Sequence, residues 1–153
     1  MDVLSHETAR RAERWLDQGF GSCVLADPQA AAIVLDSMHK FDNDWYELGA
    51  HVIMPNHVHL LIRPLQPAEN PLETILKSWK SWTSREIHAK VGGDGTLWQQ
   101  ESFDRIVRDG EHLYRCIQYI GRNPENAGLS RMGCHCWLRP EWERLEWSFE
   151  TKS

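Results

Sequence analysis

Two stretches of apolar and β-branched residues give the clearest structural signal in the chain. One covers residues 45–51 and the other residues 56–63, with a Met-Pro turn sequence between them. Runs of this length and composition, separated by turn residues, are typical of paired strands, so they predict a β-hairpin. Residues 103–107 predict a further strand, and residues 21–25 predict a short extended segment.

Apolar positions that repeat at helical spacing predict four longer helices. Ser5 and Asp27 are suitable N-caps, and Pro28 stands where the first residue of the second helix would be. Asn123-Pro124 is expected to end the fourth helix, because proline has no amide hydrogen for the helical ladder. The predicted helices cover residues 5–18, 28–40, 72–90 and 109–122, and a shorter one is expected near residues 141–145.

A hairpin and a further strand among several helices indicate an α+β domain with an antiparallel sheet. The 153 residues allow one domain with a core of its own, and no repeat or linker divides them. We therefore expect a single domain over residues 1–153, with its core at about 15–130 and a tail at about 131–153. Neither a signal-peptide pattern nor an apolar run of about 18 residues occurs, so the expected location is the cytoplasm.

Charge and cysteine content change this picture little. The net charge of −5 argues against nucleic-acid binding by the whole surface, although residues 71–139 carry 10 Lys and Arg against 8 Asp and Glu. A phosphate-binding surface needs only local positive charge, so that class of function stays open. Cys134-His135-Cys136 lacks the spacing of a zinc site, and we interpret it as part of an ordinary tail.

The second strand of the predicted hairpin contains His57-Val58-His59. Residues two apart in a strand point to the same face, roughly 6.5–7 Å apart along the chain, so two imidazoles placed in this way can share one metal ion. Two half-buried histidines on a sheet would give the same pattern without any metal. His51 is a further histidine of the same hairpin.

The helix predicted over residues 109–122 combines an apolar stripe with a polar pair. At 100° per residue, Tyr119 and Asn123 lie together on one flank of the stripe, one turn apart, and Tyr114 lies on the opposite flank. The alternative is that Tyr119 only covers the rim of the core and that Asn123 is a helix stop. The stripe comprises Leu113, Cys116, Ile117 and Ile120, and the predicted solvent side comprises Arg115, Gln118 and Arg122.

Two longer blocks of sequence resemble the REP-associated tyrosine transposases, a bacterial branch of the single-tyrosine HUH transposases. The first is VIMPNHVHLLI at residues 52–62, which holds the two histidines. The second joins LWQQESFDRIVRD at residues 97–109 to YIGRNPENAGL at residues 119–129. Two long blocks in the expected order are a far more specific match than a histidine pair, and the likeness extends from about Trp15 to Leu129.

This resemblance implies roles for four residues. His57 and His59 match the metal ligands of the family, Tyr119 matches its nucleophile, and Asn123 matches a polar third ligand one helical turn later. The implied cofactor is Mg²⁺ or Mn²⁺, whose open coordination positions would accept phosphate oxygens. The implied activity is cleavage and rejoining of hairpin-containing single-stranded DNA through a 5′-phosphotyrosine, on a ferredoxin-like palm of antiparallel strands covered by helices.

The chain departs from the family pattern at its start, where no strand of the usual type precedes Ser5. We therefore expect a palm that lacks its first strand, with an exposed sheet edge through which a second copy could pair to form a homodimer. Other functions stay open: a non-catalytic remnant that binds structured single-stranded DNA, or an unrelated metal-dependent hydrolase. The candidate phosphate contacts are Lys77, Lys80, Arg105, Arg108 and Arg122, and Trp79, Trp82 and Trp98 are either core residues or stacking platforms for bases.

Overall fold

The computed structural model of the chain describes residues 12–17, 23–99, 103–107, 109–126, 128, 134–145 and 149. Five strands within these residues form one antiparallel sheet: β1 (Ala12–Asp17), β2 (Tyr46–Ile53), β3 (His57–Pro64), β4 (Phe103–Ile106) and β5 (His135–Leu138). Their order across the sheet is β4–β1–β3–β2–β5. The predicted hairpin is confirmed as β2 and β3, which are the most extensively paired strands of the sheet.

In the described ranges, three α-helices accompany the sheet: α1 (Pro28–Lys40), α2 (Leu72–Lys90) and α3 (Gly110–Asn126). The predicted start of α1 is confirmed, because a side-chain oxygen of Asp27 accepts hydrogen bonds from the amides of Gln29 at 2.8 Å and Ala30 at 3.4 Å. Short 3-10 segments cover Val24–Ala26, where an extended segment was expected, and Pro140–Leu145 in the tail. None of the described helices is long and apolar enough to span a membrane.

The order of elements is β1–α1–β2–β3–α2–β4, and β1 lies antiparallel between β3 and β4. This is the split arrangement of a ferredoxin-like fold, in which each helix connects two parallel strands that flank a third. The predicted class, an α+β fold with a ferredoxin-like antiparallel sheet, is therefore confirmed. Helix α3 and strand β5 follow this unit, and β5 extends the sheet beside β2.

The expectation of a helix over residues 5–18 is wrong for the part that the structure describes, because Ala12–Asp17 is a strand. Its residues are good helix formers, but pairing with β3 on one side and β4 on the other overrides that preference. The expected loss of the first strand is wrong for the same reason, since β1 lies inside the sheet between β3 and β4. The homodimer expectation therefore loses its premise and stays untested.

The sheet has a hydrophobic cluster on each face. One cluster lies under α1 and α2 and includes Tyr46, Val58 and Leu60; the other lies under α3 and includes Val52 and Leu61. Each face is thus closed by helices, and these two layers fix the positions of α2 and α3 on opposite sides of the sheet.

A β-bulge at Gly49 decides which side chains of β2 face which layer. Leu48 pairs with Ile62 and Ala50 pairs with Leu61, so the register shifts by one residue between them. Residues two apart normally share a face, yet Leu48 packs in the α1 and α2 cluster and Ala50 packs under α3. The bulge therefore turns Ala50 and Val52 toward α3.

The tail is more structured than the sequence indicated. Trp142 is buried in the α3 cluster, and Phe149 lies so close to Gly121 that a Cβ there would meet its ring at 2.5 Å. Gln118, expected on the solvent side of α3, is buried. Helix α3 also continues past Pro124 to Asn126, contrary to expectation; this close to the helix end, the missing proline amide removes only the bond to the Ile120 carbonyl.

Candidate active site

Strand β3 presents His59 toward α3. His59 lies opposite Val52 of β2, and Val52 packs in the cluster under α3, so the register sets the imidazole on that face. Its side chain is fully buried. His57 lies two residues earlier on the same face by strand periodicity, is half-buried, and has its Nδ1 2.9 Å from the Asn56 side-chain oxygen. The pair thus extends from the interior to the rim of the sheet.

Helix α3 brings Tyr119 and Asn123 to the same imidazole. The side-chain amide of Asn123 lies 3.2 Å from Nδ1 of His59, and the Tyr119 ring centroid is 5.3 Å from the His59 ring centroid at an interplanar angle of 69°. Asn123 is buried, whereas Tyr119 is 47% exposed. The flank predicted from the helical wheel therefore lies directly over β3, with the amide inside and the phenol at the surface.

The polar groups of the site have complementary chemistry. As oriented, the Asn123 amide donates to Nδ1 of His59, and a rotation of the amide would bring its oxygen to that position instead. No group of three His, Cys, Asp or Glu side chains within the described ranges could hold a metal ion. Among the described side chains, a neutral oxygen donor that lies beside His59 in this geometry is the Asn123 amide.

The predicted phosphate contacts do not all lie near this site. Lys77 and Lys80 are on α2, on the opposite face of the sheet from α3, and the Lys80 ammonium donates to the Gln99 carbonyl at 2.9 Å. Arg122 is half-buried on α3, adjacent in sequence to Asn123. Arg105 belongs to β4, with its side chain outside the described part, and Arg108 lies outside the described residues altogether.

The three candidate tryptophans also differ in whether they are buried or exposed. Trp79 and Trp98 are buried in the cluster under α1 and α2, and the Trp98 indole nitrogen donates to the Thr83 hydroxyl at 2.9 Å. Trp82, for which the sequence left both core and stacking roles open, is 43% exposed, because it lies beyond the buried stripe of α2. Of the three, only Trp82 therefore presents a ring surface to a ligand.

Comparison with known proteins places the fold among transposase structures. No protein-family model and no curated protein matches the sequence. The fold is similar to that of a REP-associated tyrosine transposase bound to a REP hairpin, with a TM-score of 0.65 and 18% identity over 79% of this chain and 70% of that one. It is also similar to a candidate transposase from Deinococcus radiodurans R1, with a TM-score of 0.52 and 22% identity over 78% and 92% of the two chains. The resemblance found in the sequence is thus confirmed at the level of the fold.

Proposed function

We propose that the chain is a metal-dependent single-stranded DNA endonuclease and strand transferase, which cleaves hairpin-containing DNA through a 5′-phosphotyrosine at Tyr119. The observation that carries this proposal is the meeting of Tyr119 and Asn123 with His59, at a ring separation of 5.3 Å and an amide contact of 3.2 Å. The choice of substrate is supported by the shared fold with a transposase bound to a DNA hairpin.

The residues at this site fit a divalent cation. Two imidazoles and an amide oxygen form a neutral donor set, which suits Mn²⁺ or Mg²⁺ when phosphate oxygens and water complete the coordination. The contact between Asn123 and Nδ1 of His59 brings an amide to that imidazole, and His57 follows toward the rim. His57, His59 and Asn123 would therefore hold the ion, whose bound charge would polarise the scissile phosphate.

The exposure of Tyr119 supports its attack on a DNA backbone that stays outside the protein core. Its ring packs edge-on to His59 on one side and is 47% exposed on the other, so a DNA phosphate can reach the hydroxyl without unfolding of the helix. In the proposed step, the phenol oxygen forms a bond to phosphorus while the bond from phosphorus to the 3′ oxygen breaks. The phenol proton passes to solvent and the departing 3′ oxygen takes up a proton.

Rejoining reverses this step. A DNA 3′-hydroxyl loses its proton to solvent and its oxygen forms a bond to phosphorus, while the bond between phosphorus and the phenol oxygen breaks and the Tyr119 phenolate takes up a proton. A phenolate leaves more readily than an alkoxide, so a tyrosine ester keeps the cut strand reactive toward a second DNA end. His59 and Asn123 contribute by holding the tyrosine ring and the phosphate in one geometry, which is worth several orders of magnitude in rate for a reaction of this kind.

Tyr119→Phe tests the proposal with the smallest possible change. The hydroxyl deletion keeps the ring against His59, so we expect stability to change by at most about 0.5–1.5 kcal/mol and hairpin affinity to survive. The measurement is incubation of labelled single-stranded hairpin DNA with Mn²⁺ or Mg²⁺, followed by denaturing electrophoresis. The parent should give a covalent protein–DNA adduct and a nicked strand, and the variant should give neither.

Tyr114→Phe is the matched control, because Tyr114 is a tyrosine of the same helix that packs against the α3 cluster rather than His59. It should retain the parent rate of adduct formation. Nicking by the Tyr119 variant without an adduct would point to a hydrolase that uses water as nucleophile. Hairpin binding by the parent without nicking would point to a non-catalytic binding protein.

A further inference from the structure

A concave surface lies between α1 and α2, on the side of the sheet away from Tyr119. This α1–α2 groove has a volume of about 460 Å³, within the range of about 300–1,000 Å³ that is usual for ligand pockets. Its wall includes Lys40, Phe41, Trp45, Lys77, Trp82 and Arg85. The proposed cleavage reaction uses none of these side chains.

Aromatic rings and cations alternate along the groove. Phe41 and Trp45 stack in parallel, with centroids 4.1 Å apart and planes 4° from parallel. The Lys40 ammonium lies 5.5 Å from the centroids of both Phe41 and Trp82, and so bridges the two helices. The Arg85 guanidinium carbon lies 5.8 Å from the Trp82 centroid. The indole of Trp82 is thus flanked by two cations while 43% of its surface remains exposed.

The charge of the groove is opposite to that of the molecule. The chain carries a net charge of −5, yet the described residues of the lining include three basic side chains and no Asp or Glu. Within the described part of the chain, no carboxylate forms a salt bridge with Lys40, Lys77 or Arg85. By contrast, Lys90 at the end of the same helix pairs with Glu86 at 3.1 Å. Unpaired cations that gather in an acidic protein favour an anionic ligand.

The alternation of rings and cations favours one class of anion. We propose that the α1–α2 groove binds unpaired single-stranded DNA, with a base stacked on Trp82 and the flanking phosphates held by Lys40, Lys77 and Arg85. Every base has a flat π-surface, and aromatic side chains in a basic groove are the usual way to bind a strand without reading its sequence. An acidic peptide would supply the charge but no flat groups for the rings.

The length of the groove favours a strand over a single nucleotide. Lining residues on α2 extend from Thr74 to Arg85. Eleven steps of about 1.5 Å give a helix length of about 16 Å, which corresponds to several nucleotides at about 3.4 Å per stacked base. The sheet separates this surface from the candidate active site, so it would be a second DNA contact that does not depend on cleavage.

The test uses the full chain with Tyr119→Phe and a chelator, so that binding is measured without any cutting. Fluorescence anisotropy with unstructured oligo-dT gives the affinity. We expect Trp82→Leu to weaken binding about 5- to 150-fold, the range that one stacked base is worth, and Trp82→Phe to restore part of it. The side chain is exposed, so the melting temperature should change little and serves as the check on folding.

A charge pair on α2 provides the matched control. Arg85→Gln and Lys90→Gln each remove one positive charge from an exposed position of the same helix, but only Arg85 lines the groove. Arg85→Gln should lower the affinity and reduce the slope of log affinity against log salt by about 0.7, as expected for one lost phosphate contact. Lys90→Gln should leave that slope unchanged.

Several results would overturn the proposal. The first is that the parent does not bind oligo-dT, or binds it no more tightly than Trp82→Leu does. The second is that Arg85→Gln and Lys90→Gln give equal salt slopes. The third is that dTMP or poly-glutamate displaces the oligonucleotide at comparable concentration. Adduct formation with a hairpin is a separate readout. Its absence would count against the proposed strand transfer and leave binding in the α1–α2 groove standing.

Discussion

Acidification is expected to destabilise the protein through His51, which lies on the sheet face opposite to His59. Burial lowers the pKa of His51 from 6.5 to about 3, and the neighbouring His39 and His135 act in the same direction. The Nε2 atoms of His51 and His39 are 2.8 Å apart, and Trp137 stacks on the His51 ring with centroids 5.3 Å apart. The folded protein therefore holds this fully buried imidazole neutral.

The size and sign of the effect follow from the two pKa values of His51. Above pH 6.5 the His51 imidazole is neutral in both the folded and the unfolded state, so its contribution to the free energy of unfolding is fully present. Below pH 6.5 the unfolded chain binds a proton that the folded protein does not bind until about pH 3. Between pH 7 and pH 5 this difference lowers the free energy of unfolding by about 2 kcal/mol. Burial lowers the pKa of His39 as well, despite the opposing charges of Asp42 and Asp36, so it adds to the same trend.

The assay is urea unfolding followed by circular dichroism at the two pH values, for the parent and for His51→Gln. Glutamine keeps a polar group near His39 and carries no titratable proton. The variant is expected to be less stable at pH 7 but to lose about 2 kcal/mol less than the parent on acidification. Equal losses for the two proteins would refute the argument, because acidification would then destabilise the protein independently of His51.

Two further predictions concern the tail and the proposed metal ligands. Arg139→Met should lower the free energy of unfolding by about 3–5 kcal/mol in the same urea assay. The substitution breaks a buried ion pair with Asp42 at 3.2 Å and a hydrogen bond to the Leu48 carbonyl at 3.0 Å. A loss below about 1 kcal/mol would show that the ion pair behaves as a surface one. His57→Ala should abolish the covalent DNA adduct with little change in hairpin affinity. It should also remove the rise in melting temperature that Mn²⁺ is expected to give the parent protein. An undiminished adduct would exclude His57 from the mechanism.

Sequence patterns predicted the elements that local physical chemistry determines. The β2–β3 hairpin follows from its β-branched residues and α1 follows from the Asp27 cap, and both were found where expected. The flank shared by Tyr119 and Asn123 follows from helix geometry alone, and α3 does lay that flank over β3. These features need only short-range information, which the order of residues contains.

The wrong predictions share a different cause, which is contact between distant parts of the chain. Strand β1 consists of helix-forming residues and is extended only because β3 and β4 pair with it. Gln118 has the spacing of a solvent-facing residue on α3, yet it is buried in the folded protein. Strand β5 has four residues and exists only because the edge of β2 is available for pairing. None of these contacts leaves a periodic signal in the sequence.

The histidines of the hairpin show where sequence reasoning on the site reaches its limit. Both His51 and His59 are fully buried. From the spacing of residues in the sequence alone, either imidazole could be the one that contacts α3. The register separates them: His51 pairs with Leu60, which packs under α1 and α2, whereas His59 pairs with Val52, which packs under α3. Adjacent residues of a strand face opposite sides, so a shift of one residue in this hairpin would exchange which layer each imidazole meets. The candidate active site therefore depends on the pairing of β2 with β3 as much as on the identity of its residues, and the bulge at Gly49 is part of what sets that pairing.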